Sequence, residues 1–159
     1  MSEIIKPPQP LDIAVNEQVI FLGGTIDNGA SEDWQATVGQ YLIDNYECVV
    51  LNPRRDNWDS IWVQDISNDQ FRQQVQWELD GMDTANIIII NLTSGSLSPI
   101  SLLELGLQAT RRVLLFVACA PDFFFFFNVQ VICDRYNIPL YDDIDSLLIG
   151  EVEHFRKKK

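Results

Sequence analysis

Short runs of nearly unbroken apolar residues alternate along this chain with longer stretches in which apolar side chains recur every three or four positions. Val19 to Leu22, Cys48 to Leu51, Ile87 to Asn91 and Val113 to Ala118 are the apolar runs. Unbroken runs predict strands covered on both faces, because a strand with one wet face alternates. A weaker fifth strand is expected near Pro139 to Tyr141. Helical spacing is seen at about 31–45, 69–84, 99–110, 128–136 and 144–158. The last of these ends in basic residues, which suit the negative end of a helix dipole.

Strand and helix in alternation call for a parallel sheet with helices on both faces. The expectation is a flavodoxin-like three-layer α/β sandwich, with a five-stranded parallel sheet in the order 2-1-3-4-5. Prolines 7, 8 and 10 mark residues 1–16 as an extended surface leader, leaving 17–159 as one α/β domain. In this winding, ligands bind beyond the carboxyl ends of strands 1 and 3, where the strand order reverses. The loops GGTIDNGASEDW, NPRRDNWD and NLTSGSLSP should then share one rim.

One helix at that rim raises a question. SPISLLELGL sets a single carboxylate, Glu104, among four leucines and an isoleucine. Ser98 followed by Pro99 is a strong helix start. It places Glu104 more than one turn inside, with Ile100 and Leu107 on its face and the sheet beneath. A carboxylate in that position is partly desolvated and can attack carbon or steady a cation. The alternative is a capping box formed by Ser101 and Glu104, which would make the glutamate structural. Glu78, Asp80 and Asp83 lie near the end of the preceding helix, where acids oppose the dipole. Asp80 and Asp83 read equally well as a solvated acidic face. Glu78, between Trp77 and Leu79, has the more apolar setting.

Other chemistry is removed by what is missing. The only histidine, His154, falls in the charged last helix, so serine or cysteine nucleophiles have no imidazole base. Metal sites rich in histidine or cysteine fail on the same count. The first loop carries Gly23, Gly24 and Gly29 but neither GxGxxG nor GK[ST]. No aspartate ends the third strand, where a phospho-acceptor domain would need one; Asn91 stands there. Carboxylates, hydroxyls, amides and the arginines of the second loop remain. These are tools of glycosyl transfer or of plain ligand binding.

Composition narrows the partners. With 47% hydrophobic and 21% charged residues the chain is an ordinary globular one, and its net charge of −12 disfavours a nucleic-acid polymer or an anionic membrane. Cys48, Cys119 and Cys133 are scattered, as in a reducing compartment. MSEIIKPPQPLD has no basic end before an apolar stretch, and no apolar run is long enough to span a bilayer. A cytoplasmic location is the expectation. Phe123 to Phe127 puts five aromatics in a row, which a monomer would not leave in water; they should line a subunit contact or close a pocket.

Taken together, IFLGGTIDNG, EDWQ, LNPRRDNWD, QVQWELDGMDTAN and SPISLLELG resemble the nucleoside 2-deoxyribosyltransferase family, and in particular its 2-deoxyribosyltransferase-like branch, over about residues 19–140. The resemblance implies a flavodoxin-like fold, a homo-oligomer with a shared active site, and cleavage of the N-glycosidic bond of 2'-deoxynucleosides without metal or organic cofactor. It implies that Glu104, in Glu104-Leu105-Gly106, is the nucleophile, and that Glu78 is the second acid, where better-known members carry aspartate. Phe21, Gly24, Thr25 and Ser98 match substrate-binding positions, and Asn128 matches a polar residue lent by a neighbouring subunit. Trp34 and the phenylalanine run are candidates to stack on the base, with ordinary core or interface packing as the alternative. Ser98 stands where transferases often have aspartate, which resembles hydrolases of deoxynucleoside monophosphates. Yet the first loop offers Asp27 and no cation. Arg54 and Arg55 either supply charge to a phosphate or pair with Asp56 and Asp59. The implied activity is deoxyribosyl transfer between nucleobases through a covalent glutamyl ester. The alternatives are hydrolysis of nucleosides or their monophosphates, and a non-catalytic nucleotide-binding or sensing module.

Overall fold

The computed structural model describes residues 1–27, 30–56 and 62–159. The apolar runs become β2 (Val19–Gly24), β3 (Val49–Leu51), β4 (Ile87–Leu92) and β5 (Leu114–Cys119), with β6 (Leu140–Tyr141) short at one edge. Every residue of β2, β3 and β4 is buried, as strands sandwiched between helices require. The helices are α1 (Trp34–Asn45), α2 (Asp69–Thr84), α3 (Pro99–Gln108), α4 (Phe126–Arg135) and α5 (Ile144–Gly150). Asp33 and Asn68 cap α1 and α2 by accepting from the amides of Ala36 and Phe71. Among the described residues no helix is long and apolar enough to cross a membrane.

The sheet has six strands, not the five expected. Its order is β1-β3-β2-β4-β5-β6 with every pairing parallel. The five anticipated strands keep the anticipated order, and the extra member is β1 (Glu3–Ile5) at the edge. It comes from the segment read as a surface leader. Ile5 is buried against the sheet, and the Asn52 amide donates to its carbonyl at 3.0 Å. Three residues are too few to show a period, so this strand leaves no pattern in the sequence.

The last helix is also shorter than its spacing suggested. It stops at Gly150, and a 3-10 turn over Val152–His154 redirects the chain. Phe155 then enters the core 5.1 Å from the ring of Tyr46, and Lys157 bridges back to Tyr46. The basic end therefore sits beside the α1–β3 connection and caps no helix.

Two cores flank the sheet. Trp77 and Met82 of α2, Leu105 of α3, and Val129 and Cys133 of α4 pack on the face that carries Phe21. Trp34, Val38 and Leu42 of α1 pack with Leu147 and Leu148 of α5 on the other. The order reverses between β2 and β4, and the carboxyl ends of these two strands meet unusually closely. Gly24 adopts φ +132°, and a Cβ there would stand 2.1 Å from the Asn91 carbonyl oxygen. The Thr25 amide donates to the same oxygen at 2.9 Å. Only glycine fits.

Replacing Gly24 with alanine should cost more than about 3 kcal/mol through strain and backbone contact together. Urea denaturation of the variant measures it; a loss under about 1 kcal/mol would mean the strand ends do not meet as described.

Candidate functional site

At that switch point Phe21 and Gly23 of β2 point to the same face, and two helices converge on them. Gly81 lets α2 settle onto the strand, since a Cβ there would lie 3.1 Å from two carbons of the Phe21 ring. Glu78 and Gln74, one and two turns earlier on α2, are carried along the same face. From the other side α3 brings Glu104. The position a Gly23 side chain would take lies 3.4 Å from Glu104 Oε2 and 3.4 Å from the Phe21 ring. The carboxylate thus rests over a bare stretch of backbone, in space the glycine leaves open.

The helix start at Pro99, with Ser98 as N-cap, settles the alternatives for this segment. Ser101 lies inside the helix, so no capping box forms. The setting of Glu104 differs from expectation in one respect. Ile100 and Leu107, expected beside it, are 60% and 49% exposed, whereas Ser101, Glu104, Leu105 and Gln108 face inward. At 100° per residue Glu104 stands at the edge of the buried arc, with Ser101 and Gln108 inside and the leucine and isoleucine beyond it. Its apolar surroundings come from the sheet.

Burial pushes the Glu104 carboxyl up to about 8, and the charge of Glu78 adds to the effect. Glu78 is pushed to about 7, again by desolvation, although its side chain is only partly covered. Two influences pull it back. Gln74 Nε2 donates to Glu78 Oε1 at 2.7 Å, and the charge of Arg55 lies nearby. Arg55 Nε in turn donates to Gln74 Oε1 at 2.6 Å. One amide therefore links the arginine to the acid. Among the described residues no hydrogen bond reaches Glu104. The charge of Glu78 is among the causes that raise Glu104, so the two acids titrate as coupled neighbours.

Beside the acids runs a chain of hydroxyls. Thr25 Oγ1 accepts from the Thr93 amide at 3.0 Å and lies 2.8 Å from Ser98 Oγ. Ser98 Oγ lies 2.7 Å from Ser96 Oγ, which donates to Asp27 Oδ1 at 2.7 Å. Ser98 takes a left-handed backbone, φ 42°, and gives α3 no side-chain cap. Its hydroxyl is buried between those of Thr25 and Ser96.

The other anticipated residues are placed differently. Trp34 is buried on the opposite face of the sheet, and its Nε1 donates to the Thr25 carbonyl at 2.9 Å. It reaches the rim through that N–H, not through an open ring face. Arg54 is buried, and its guanidinium donates to the carbonyls of Ser31 at 2.6 Å and Glu32 at 2.9 Å, with Asp33 at 3.9 Å. Arg55 lies over the Trp62 ring, and Asp56 pairs with Lys6. Asp59 and Gly29 lie outside the described residues. Asp80 and Asp83 are exposed, and Asp83 pairs with Arg111 at 2.9 Å, which is the solvated-face reading. Asn128 is exposed on α4, and no hydrogen bond joins it to the acids among the described residues. The phenylalanine run divides: Phe123 is buried, whereas Phe124 and Phe127 are each 75% exposed. An open cleft of about 550 Å³ lies between the N-terminal segment and α2, and neither Glu78 nor Glu104 lines it.

Sequence reasoning missed Gln74 and Ser96, and the parts that Gly23 and Arg55 play. Gln74 could have been found from its i−4 spacing to Glu78. The others become visible only when loops distant in sequence meet.

Residues 17–123 match the family described as nucleoside 2-deoxyribosyltransferase like, and the chain belongs to that family. No curated protein matches the chain.

An acid held above its ordinary value in the fold keeps its proton more tightly folded than unfolded. Its contribution to stability is whole below about 4.5 and is lost as pH rises through about 8. Glu104→Gln, which cannot ionise, should therefore melt higher than the parent protein at pH 8, with a gain in stability on the order of 4 kcal/mol. At pH 4 the two should melt alike. Equal melting at both pH values would show that Glu104 is not desolvated.

Proposed function

We propose that this family member transfers 2-deoxyribose between nucleobases, with Glu104 as nucleophile and Glu78 as proton carrier. The observation that carries the reading is a desolvated carboxylate, 9% exposed, over Gly23 at the switch point, with a second raised acid beside it. In such a pair one group can attack while its neighbour manages a proton, as in retaining glycosidases.

Glu104 attacks the anomeric carbon as the carbon–nitrogen bond lengthens, and the bonding pair leaves with the base. Glu78 delivers its proton to that nitrogen. Positive charge developing on the sugar favours the ionised form of Glu104 as reaction begins, and the proton the reaction needs is carried by Glu78. The product is a glutamyl ester of deoxyribose. An incoming base then attacks the same carbon, returns the carboxylate and yields its own proton to Glu78. Water in place of that base would make the protein a hydrolase, and Ser98 in place of aspartate is the feature favouring that second reading.

Phe21 forms the floor, Gly24 and Thr25 set the rim, and Trp34 and Arg54 hold the first loop in place. A homo-oligomer completes the site, with Asn128 lent by a neighbour. Supporting this is the outer face of α3, where Ile100, Leu103 and Leu107 form an exposed apolar stripe on the helix that carries the nucleophile, with exposed Leu97 just before it. A cytoplasmic location accords with three free cysteines, all buried.

Incubated with a deoxynucleoside and a different free base, the protein should produce the exchanged nucleoside on chromatography. Glu104→Ala should lower that activity more than about 1,000-fold, and Glu78→Gln roughly 100-fold or more. Neither exchange nor base release would refute the reading. The pH profile of kcat/KM should be bell-shaped with both limbs near 7 to 8, following the pair. A single limb near 4.5 would contradict a pair of raised acids. Charging the stripe with Leu103→Asp and Leu107→Asp should reduce the mass seen by light scattering to that of one chain; an unchanged mass would place the subunit contact elsewhere.

A further inference from the structure

The side-chain amide of Gln74 has one orientation open to it. Its Nε2 faces two acceptors, the Pro53 carbonyl at 2.9 Å and Glu78 Oε1 at 2.7 Å, and its Oε1 faces a donor, Arg55 Nε at 2.6 Å. Both N–H bonds are spent on one side of the amide and its oxygen on the other. Turning it over would set oxygen against two acceptors and N–H against N–H. Gln74 is 3% exposed, so water cannot repair those losses. Arg55 is itself held in place. Its Nη2 donates to Gln73 Oε1 at 3.2 Å, and its guanidinium lies 4.9 Å from the centroid of the Trp62 ring.

The loop and the helix that meet at Gln74 are tied to one further segment. The Asn52 amide donates to the Ile5 carbonyl at 3.0 Å, and Trp77 Nε1 donates to the Gln9 carbonyl at 2.8 Å. The N-terminal segment thus grips the second loop and α2 together, and Pro53 and Arg55 meet Gln74 from fixed positions. The consequence falls on Glu78, whose Oε1 always meets an N–H. A neutral carboxyl carries its proton on one oxygen, and its carbonyl oxygen is the better acceptor. Oε1 is therefore the carbonyl, and Oε2 is the hydroxyl. A guanidinium bound to Glu78 directly would hold the acid ionised and without a proton to give. With an amide between them, the direction is fixed and the proton is kept.

We propose that Arg55 is a positioning residue for the second acid: through Gln74 it holds Glu78 so that Oε2 is the oxygen that carries and yields the proton. This deepens the glycosyl-transfer reading and rests on it for the use of the proton, not for where the proton sits. On that reading the Oε2–H bond breaks as the departing base nitrogen takes the proton, and the bonding pair stays on Oε2. The incoming base later returns a proton to the same oxygen, while Oε1 keeps its bond to Gln74.

NMR of the labelled full chain separates the two claims, because it needs no turnover. Arg55→Met and Gln74→Met each remove a group that favours the ionised acid. Each should raise the Glu78 carboxyl midpoint from about 7 by roughly half a pH unit or more. The two Nε2 protons of Gln74 should exchange with solvent at least roughly tenfold faster in Arg55→Met than in the parent protein. In the base-exchange assay both variants should lower kcat about tenfold and leave KM within about threefold. A midpoint unmoved in both variants overturns the proposal, as does amide exchange no faster without Arg55. An unchanged kcat in both variants overturns it too. Gln74→Met keeps the test open where Arg55→Met does not fold. A raised midpoint in variants of a protein that neither exchanges nor releases bases would sink the transfer reading and leave the positioning standing.

Discussion

A carboxylate withdrawn from water, with no hydrogen-bonded partner for its side chain among the described residues, is the constraint around which this structure is arranged. Glu104 lies 3.4 Å from the point a Gly23 side chain would begin, over a strand whose next residue, Gly24, touches the neighbouring strand too closely for any side chain. Burying such a group costs stability unless it is neutral or paired. Here the cost falls on the protonation state, and the second acid, Glu78, shares it. Strain of this kind persists where surrounding structure holds it, and it marks places where chemistry is done.

Helix α3 inverts the usual division of labour. Its inward face carries Ser101, Glu104 and Gln108, whereas Ile100, Leu103 and Leu107 look outward. Apolar residues on the outside suit a surface that another subunit covers, and polar residues on the inside suit a surface that a ligand meets. Helix α2 complements it through Gly81, whose absent side chain brings Gln74 and Glu78 down to the sheet. Arg55, acting through Gln74, tempers Glu78 without touching it. Two helices thus deliver two acids of different character to one floor, and the loops around them supply a run of hydroxyls that ends on Asp27.

Much of this was legible in the chain because the signals are local. Near-continuous apolar runs identified the buried strands, and Ser98-Pro99 fixed where α3 begins, which alone decides whether Glu104 caps or faces inward. What could not be read was either too short or too distant. The edge strand β1 has three residues and no period. The end of α5 depends on the late return of Phe155 into the core, a tertiary event that outweighs helical spacing. The contact between Ser96 and Asp27 spans 69 positions, and no local rule joins them. The rotation of α3 also escaped, because a helix with apolar residues all round does not say which side is wet.

The account stands on the electrostatic state of one side chain, and carbon-detected NMR can observe it directly. With side-chain carboxyls labelled and Glu104→Gln used to assign the resonance, the Glu104 carbon should titrate well above the ordinary range, at about 8, and should respond to the ionisation of Glu78. A midpoint at the ordinary 4.5, indifferent to Glu78, would place the carboxylate in water and remove the basis for its chemistry.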